Sequence, residues 1–180
     1  MPYTPFIEQF RELALRETRS ATALNFPGLP ADQYGLIELY CDDENCDCRR
    51  VMFEVFSEKT GKCIAVVAYG WESSDFYAKW FGQDDPEEIK ELQGPILNFG
   101  SQQSGLAPAA LELVKTILED RNYVARLKRH YQMFKEKVDA RHFRKYAVSD
   151  VSRIANPTYE NSNEKDVIPS SKKPGKRRRN

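Results

Sequence analysis

Cys41, Cys46 and Cys48 stand in a C-x4-C-x-C arrangement within residues 40–50 (YCDDENCDCRR), and the remaining cysteine is Cys63. Thiolate sulfur is the donor that soft ions such as zinc prefer, and a turn between two strands can aim closely spaced side chains at one point about 2.3 Å from each sulfur. That requirement constrains the fold, because residues 41–48 must then form a polar turn whose flanking strands hold it in register. The expected ligands are Cys41, Cys46 and Cys48, with Zn as the ion. The competing reading is a set of reduced thiols or a redox pair, although Cys46 and Cys48 are too close in sequence for an easy disulfide. C-x4-C-x-C is not one of the standard two-pair zinc spacings. Asp42, Asp43, Glu44 and Asp47 attract a cation to the loop, and Arg49 and Arg50 offset part of their charge.

Strand geometry separates Cys63 from the other three. Residues 51–56 and 63–69 are rich in β-branched and aromatic residues, and residues 57–62 (SEKTGK) between them suit a hairpin turn. In that hairpin Cys63 falls opposite about Phe56, roughly 25 Å from Cys48 at a rise of about 3.3 Å per residue. Cys63 is then expected to be a small buried hydrophobe in a strand. Tyr69, Gly70, Trp71 and Glu72 are the residues that return to the knot. A fourth ligand has to come from Glu72, from Asp42, Glu44 or Asp47 in the loop, or from a histidine. Only His130 and His142 exist. His130 borders the apolar face set by Leu127, Tyr131 and Phe134, so it is the expected fourth ligand; an ordinary helix-surface histidine is the alternative.

The rest of the pattern predicts an α+β fold: a small antiparallel β-meander packed by several helices, a long C-terminal helical region and a disordered basic tail. Residues 36–40 supply the first strand of the meander. Phe6, Phe10, Leu13 and Leu15 predict a lead-in helix over 4–21 with Thr4-Pro5 at its start, and residues 25–35 read as a loop. Ser73-Ser74-Asp75 and Asp85-Pro86 each open a short helix, and the aromatics of these helices are expected to cover one face of the sheet. Residues 94–105 read as a glycine-bearing loop, followed by helices over 108–119 and 122–146. The expected organisation is a domain over 1–148 that carries the metal site, and a disordered tail over 149–180.

The chain has 180 residues, enough for a domain whose core does not depend on a metal. No apolar run approaches the roughly 20 residues of a membrane span, and the N-terminus lacks a secretory signal, so the expectation is a cytoplasmic protein with no membrane contact. Net charge is +0, but residues 1–120 carry 10 Lys and Arg against 21 Asp and Glu while residues 121–180 carry 17 against 6. This dipole suits a basic arm for an acidic partner, or a basic end that folds back on an acidic body. The partners it suggests are RNA, DNA or a ribosome-associated protein, contacted through Lys172, Lys173, Lys176, Arg177, Arg178 and Arg179. Arg126, Lys128, Arg129 and Lys135 would extend that footprint along the preceding helix. The alternative is a solubilising tail.

Catalytic templates fit poorly. Gly61-Lys62 lacks the upstream glycine and the Ser or Thr of a phosphate-binding loop. Residues 100–105 (GSQQSG) miss the spacing of a nucleophile elbow. Glu88-Ile89-Lys90 matches a minimal nuclease fragment but falls on a predicted helix. Residues 38–50, 68–72 (AYGWE) and 122–134 (NYVARLKRHYQMF) together resemble a group of uncharacterised bacterial proteins that often end in a SEC-C motif, a short cysteine-rich zinc module. The resemblance covers roughly residues 35–140 and implies zinc association without an established reaction. Residues 174–180 (PGKRRRN) are similar to the basic lead-in that precedes the SEC-C cysteines, which are absent here, so the expectation is either a member without the module or a shortened chain. The function expected from all this is a metal-stabilised binding or adaptor protein; the alternative is a metal-dependent hydrolase or nuclease.

Overall fold

A computed structural model describes residues 3–138 of the chain. The strands are β1 (Tyr3–Pro5), β2 (Arg19–Ala23), β3 (Asp32–Cys41), β4 (Arg50–Ser57), β5 (Lys62–Gly70) and β6 (Ile96–Leu97). The helices are α1 (Phe6–Gln9), α2 (Arg11–Glu17), α3 (Ser74–Phe81), α4 (Pro86–Gln93), α5 (Ala107–Leu118) and α6 (Arg121–Val138). All strand pairs are antiparallel, in the order β1-β3-β4-β5-β6, with β2 also on β3. The expected α+β class is therefore present, with the β3-β4-β5 meander at its centre. The boundary at residue 148, the helix end near residue 146, His142 and the whole tail lie outside the described residues.

Alternation along the meander sets the core. Tyr34, Leu36, Glu38 and Tyr40 of β3 and Val51, Phe53 and Val55 of β4 are buried, while Gly35, Ile37 and Leu39 and Met52, Glu54 and Phe56 alternate with them as half-buried residues. α5 and α6 join that core with Ala110, Leu113, Val114 and Ile117 and with Tyr123, Leu127, Tyr131 and Phe134. Each fully buried large apolar side chain contributes about 1.5–3 kcal/mol. The period-3.6 pattern of α5 and α6 follows from their amphipathic packing. No helix among the described residues is long and apolar enough to cross a membrane.

The structure corrects the lead-in helix. Helical spacing holds only over α1 and α2, which Phe10 separates at φ −136° and ψ 56°. The flanks become strands because β3 offers one edge to both: Tyr3, Thr4 and Pro5 pair with Cys41, Tyr40 and Leu39, and Arg19–Ala23 pairs with residues from Leu36 to Asp32. Two short helices thus bridge a gap in a split edge strand. Edge pairing supplies the backbone hydrogen bonds that helices of this length hold only marginally.

Two loops also contain strand. β3 starts at Asp32, inside the expected loop over 25–35, where the Asp32 carboxylate accepts hydrogen bonds from Ser57 Oγ and from the Gln33 N–H at 2.7 Å. β6 lies inside the expected loop over 94–105, pairing with Val67 and Ala68. Gln103 then extends that edge, its amide oxygen accepting from the Val66 N–H at 2.9 Å and its amide nitrogen donating to the Val66 carbonyl at 3.1 Å. The two short helices start as expected: Ser73 Oγ accepts from the Phe76 N–H at 3.3 Å, and Asp85 Oδ1 from the Glu87 N–H at 2.8 Å. α4 packs on β5, and of the aromatics on α3 only Tyr77 is buried, Phe81 being exposed.

Candidate metal centre

β3 ends on Cys41, β4 begins at Arg50, and residues 42–49 turn between them. The turn delivers Cys41, Cys46 and Cys48 to one place, with their three sulfurs all within 4.8 Å of one another. Sulfurs on a tetrahedral ion at about 2.3 Å stand roughly 3.8 Å apart, so small side-chain adjustments would bring three of its four ligands into place. Cys41 and Cys48 are 0% exposed and Cys46 is 8% exposed, so the trio is shielded from water. Hydrogen bonds from the Cys46 and Cys48 thiols favour a thiolate at Cys41 and hold its pKa below the usual thiol range. The same bonds push the Cys46 and Cys48 thiols up.

The turn is clamped from outside. Arg49 adopts a left-handed backbone, φ 47°, which costs a side-chain-bearing residue of order 1–3 kcal/mol unless its surroundings fix it. They do. The Arg49 N–H donates to Tyr131 Oη at 3.2 Å, and its carbonyl accepts from Tyr77 Oη at 2.9 Å. Its guanidinium spans Asp47 at 3.1 Å and Glu72 at 3.3 Å and lies 4.7 Å from the Phe76 ring centroid. Tyr131 Oη also donates to Asp47 Oδ1 at 3.2 Å. Tyr3, paired with Cys41, lies close enough for the thiols to act on it: burial, then the charge of Cys48, pushes its phenol up.

Of the acids considered as a fourth ligand, two are engaged by Arg49. Asp47 and Glu72 belong to the Arg49 clamp, Asp42 Oδ2 accepts from Thr4 Oγ1 at 2.8 Å, and Glu44 is exposed. The Asp42 Oδ1 atom is buried without a hydrogen-bond partner.

His130 stands elsewhere. Its ring is 1% exposed and lies between two carboxylates, with Nδ1 2.7 Å from Glu38 Oε2 and Nε2 3.1 Å from Glu17 Oε2. It stacks on Phe6 with centroids 4.4 Å apart, and Tyr40 Oη donates to the same Glu38 oxygen at 2.9 Å. The group of ligand atoms at the knot comprises the three thiols and not His130. Helical periodicity placed His130 at the buried border correctly, but Glu38 on the inner face of β3 and Glu17 at the end of α2 were waiting for it. Glu38 was the readable sign, since it interrupts an otherwise apolar inward run.

Cys63 pairs with Phe56 at the far end of the hairpin, as the register argument requires, but it is exposed and not buried. The register shifts between Val55 and Phe56, so Ala65 faces Val55 while Cys63 faces Phe56 and Ile64 is the extra residue. This bulge moves Cys63 from the core face to the other side of the sheet.

The basic footprint expected on α6 breaks up in the same way. Lys135 is 0% exposed, Arg129 pairs with Glu17, and Arg126 lies 4.9 Å from the Tyr123 ring centroid; Lys128 alone of these four is exposed without a described ion pair. Lys172, Lys173, Lys176, Arg177, Arg178 and Arg179 lie outside the described residues. Comparison with protein families, with curated proteins and with solved structures returns no match.

Proposed function

We propose that this chain is a metal-stabilised binding or adaptor module in which zinc, held by Cys41, Cys46 and Cys48, staples the turn between β3 and β4. The observation that carries the reading is the burial of three convergent thiols in a turn whose backbone is fixed from α3 and α6. A soft borderline ion suits such a donor set. Full burial favours a structural role, because a catalytic zinc needs a position open to water or substrate. When bound, the ion would lock the turn; the chain's own residues keep the thiols dry and aimed.

In this reading the shaped surface serves a partner, and the basic end reaches an acidic one, RNA, DNA or a ribosome-associated protein. Elemental analysis of the purified protein, with thiol titration before and after chelation, tests the metal. One zinc per chain, with three thiols becoming reactive only after chelation, is the expected result. A metal-free protein whose thiols react at once in the folded state rejects it.

A further inference from the structure

The side of the sheet away from α5 and α6 is built like a second core. An antiparallel sheet with one solvated face carries polar residues at its outward positions, and here most are apolar. Ile37 and Leu39 of β3 and Met52 and Phe56 of β4 occupy those positions, half-buried, and Val66 and Ala68 of β5 continue the layer at 9% and 3% exposure. Register joins them into one patch: Leu39 pairs with Met52, Met52 with Ala68, and Gly35 with Phe56. At one end α4 packs on β5, whereas a Cβ built on Gly35 meets nothing within 4 Å, so the layer is open above β3.

One carboxylate interrupts the patch. Glu54 lies on β4 between Met52 and Phe56, opposite Ile37 on one side and Val66 on the other, and has no ion pair among the described residues. It also borders an open cleft of about 550 Å³ that Lys62, Cys63, Val66 and Gln103 line. Arg50, at the end of the same row, is turned to α4 and donates to the Glu91 carbonyl at 3.4 Å. A carboxylate inside an apolar layer calls for a covering surface that is itself apolar and brings a cation. A second copy of this face would instead bring a second Glu54 to the layer, where like charges oppose docking.

A segment of that chemistry comes next in the chain. α6 is described to Val138, which packs on the core, and Lys137 Nζ donates to the Gln9 carbonyl at 3.0 Å, beside the helices that bridge the edge of β3. Residues 139–154 follow, with Phe143, Tyr146 and Ile154 interleaved with Arg144, Lys145 and Arg153. Even at the 1.5 Å rise of a helix they reach roughly 24 Å, against about 10 Å from β3 to β5. The charges match as well: residues 1–138 carry 16 Lys and Arg against 22 Asp and Glu, while residues 139–180 carry 11 against 5.

We propose that residues 139–154 dock on the outer face of the β3-β4-β5 meander, with their apolar side chains over Ile37, Leu39, Met52 and Phe56 and one of their cations on Glu54. A sheet with apolar residues on both faces is thereby covered on both, as layered packing requires. The contact is independent of the thiol site, and it does not involve the cluster from Lys172 to Arg179 assigned above to an acidic partner.

Cys63 supplies the probe. It is exposed on this side of the sheet while Cys41, Cys46 and Cys48 are buried, so a nitroxide reagent added to the folded full chain goes to Cys63, and mass spectrometry checks that a single label is present. In a 15N-labelled sample the amide signals of residues 143–154 are expected to lose intensity, and to recover when ascorbate reduces the nitroxide. Glu54→Lys is expected to abolish that loss and Glu54→Gln to reduce it; the Gln variant decides should the charge reversal disturb folding. Full intensity across residues 143–154, a loss spread evenly over 139–180, or a loss unchanged in the Glu54 variants overturns the proposal. A mixture of 15N chain without nitroxide and spin-labelled chain without 15N separates the remaining case: losses that appear in the mixture put a second copy on the face and overturn it too.

Discussion

Single residues divide the thiols by position and not by type. Cys46 belongs to the trio, so Cys46→Ser is expected to abolish metal binding, while Cys63→Ser leaves the metal content at that of the parent because Cys63 is exposed at the far hairpin end. Metal analysis of the two purified variants checks both. His130 separates structural from ligating roles in the same manner. His130→Ala removes a hydrogen-bond partner of Glu38 in the core, where one of its oxygens already lacks a partner, and leaving a buried polar group unsatisfied costs about 1–3 kcal/mol. Denaturant unfolding is expected to show that loss with metal stoichiometry unchanged; a variant that loses metal while staying folded would make His130 a ligand after all.

At the scale of elements, the turn that carries the three thiols depends on how closely α3 and α4 approach the end of β5. A Cβ on Gly70 would land on the Tyr77 ring and hydroxyl and 2.8 Å from the Leu92 carbonyl. Tyr77 is the residue that holds the Arg49 carbonyl. Gly70→Ala is therefore expected to destabilise the fold by about 1–3 kcal/mol and to loosen the turn, read as faster thiol reaction in the metal-free protein. Unchanged stability and thiol kinetics would mean that α3 yields without affecting the turn. The split edge of β3 follows a similar logic: α1 and α2 exist as a bridge between two stretches of edge pairing, and the Glu17–His130–Glu38 network sits where the edge is open.

For the whole molecule, acid should act through two carboxylates. Partial burial works to raise Glu17, but the hydrogen bond to His130 and the charge of Arg129 outweigh it and hold Glu17 below its ordinary value of 4.5. The Ser57 hydroxyl, against burial and with the Gln33 and Lys59 amides, holds Asp32 below 3.8. A carboxyl whose folded pKa is lowered stabilises the fold above its ordinary value and loses that contribution as pH falls through the lowered one. Tm is thus expected to fall below about pH 4.5, with a shallower fall in Asp32→Asn. An identical acid slope in that variant would remove Asp32 from the account. The basic end makes a separate prediction. If it meets nucleic acid, affinity for RNA and duplex DNA falls steeply with salt, by about −0.9 per phosphate in a log-log plot on the duplex, and is lost in a chain ended at Ser149. Equal, negligible binding by both chains would leave a protein partner as the survivor.

What the sequence determined by itself is local: the strand-turn-strand period of the meander, the caps at Ser73 and Asp85, the helical faces of α5 and α6, and the spacing that makes Cys41, Cys46 and Cys48 a set apart from Cys63. These follow from periodicity and from the fixed rise of a strand, which act over a few residues. Tertiary structure decided the rest, because the deciding partners are far away in the chain. The edge of β3 turned the flanks of the lead-in helix into strands, a one-residue bulge carried Cys63 to the outer side, and Glu38 with Glu17 claimed His130. Lys135 shows the reason most plainly. Its neighbours on α6 give it the pattern of a surface lysine, and hydrogen bonds to the carbonyls of Cys41 and Asp43, more than ninety positions away, help to hold it in the interior.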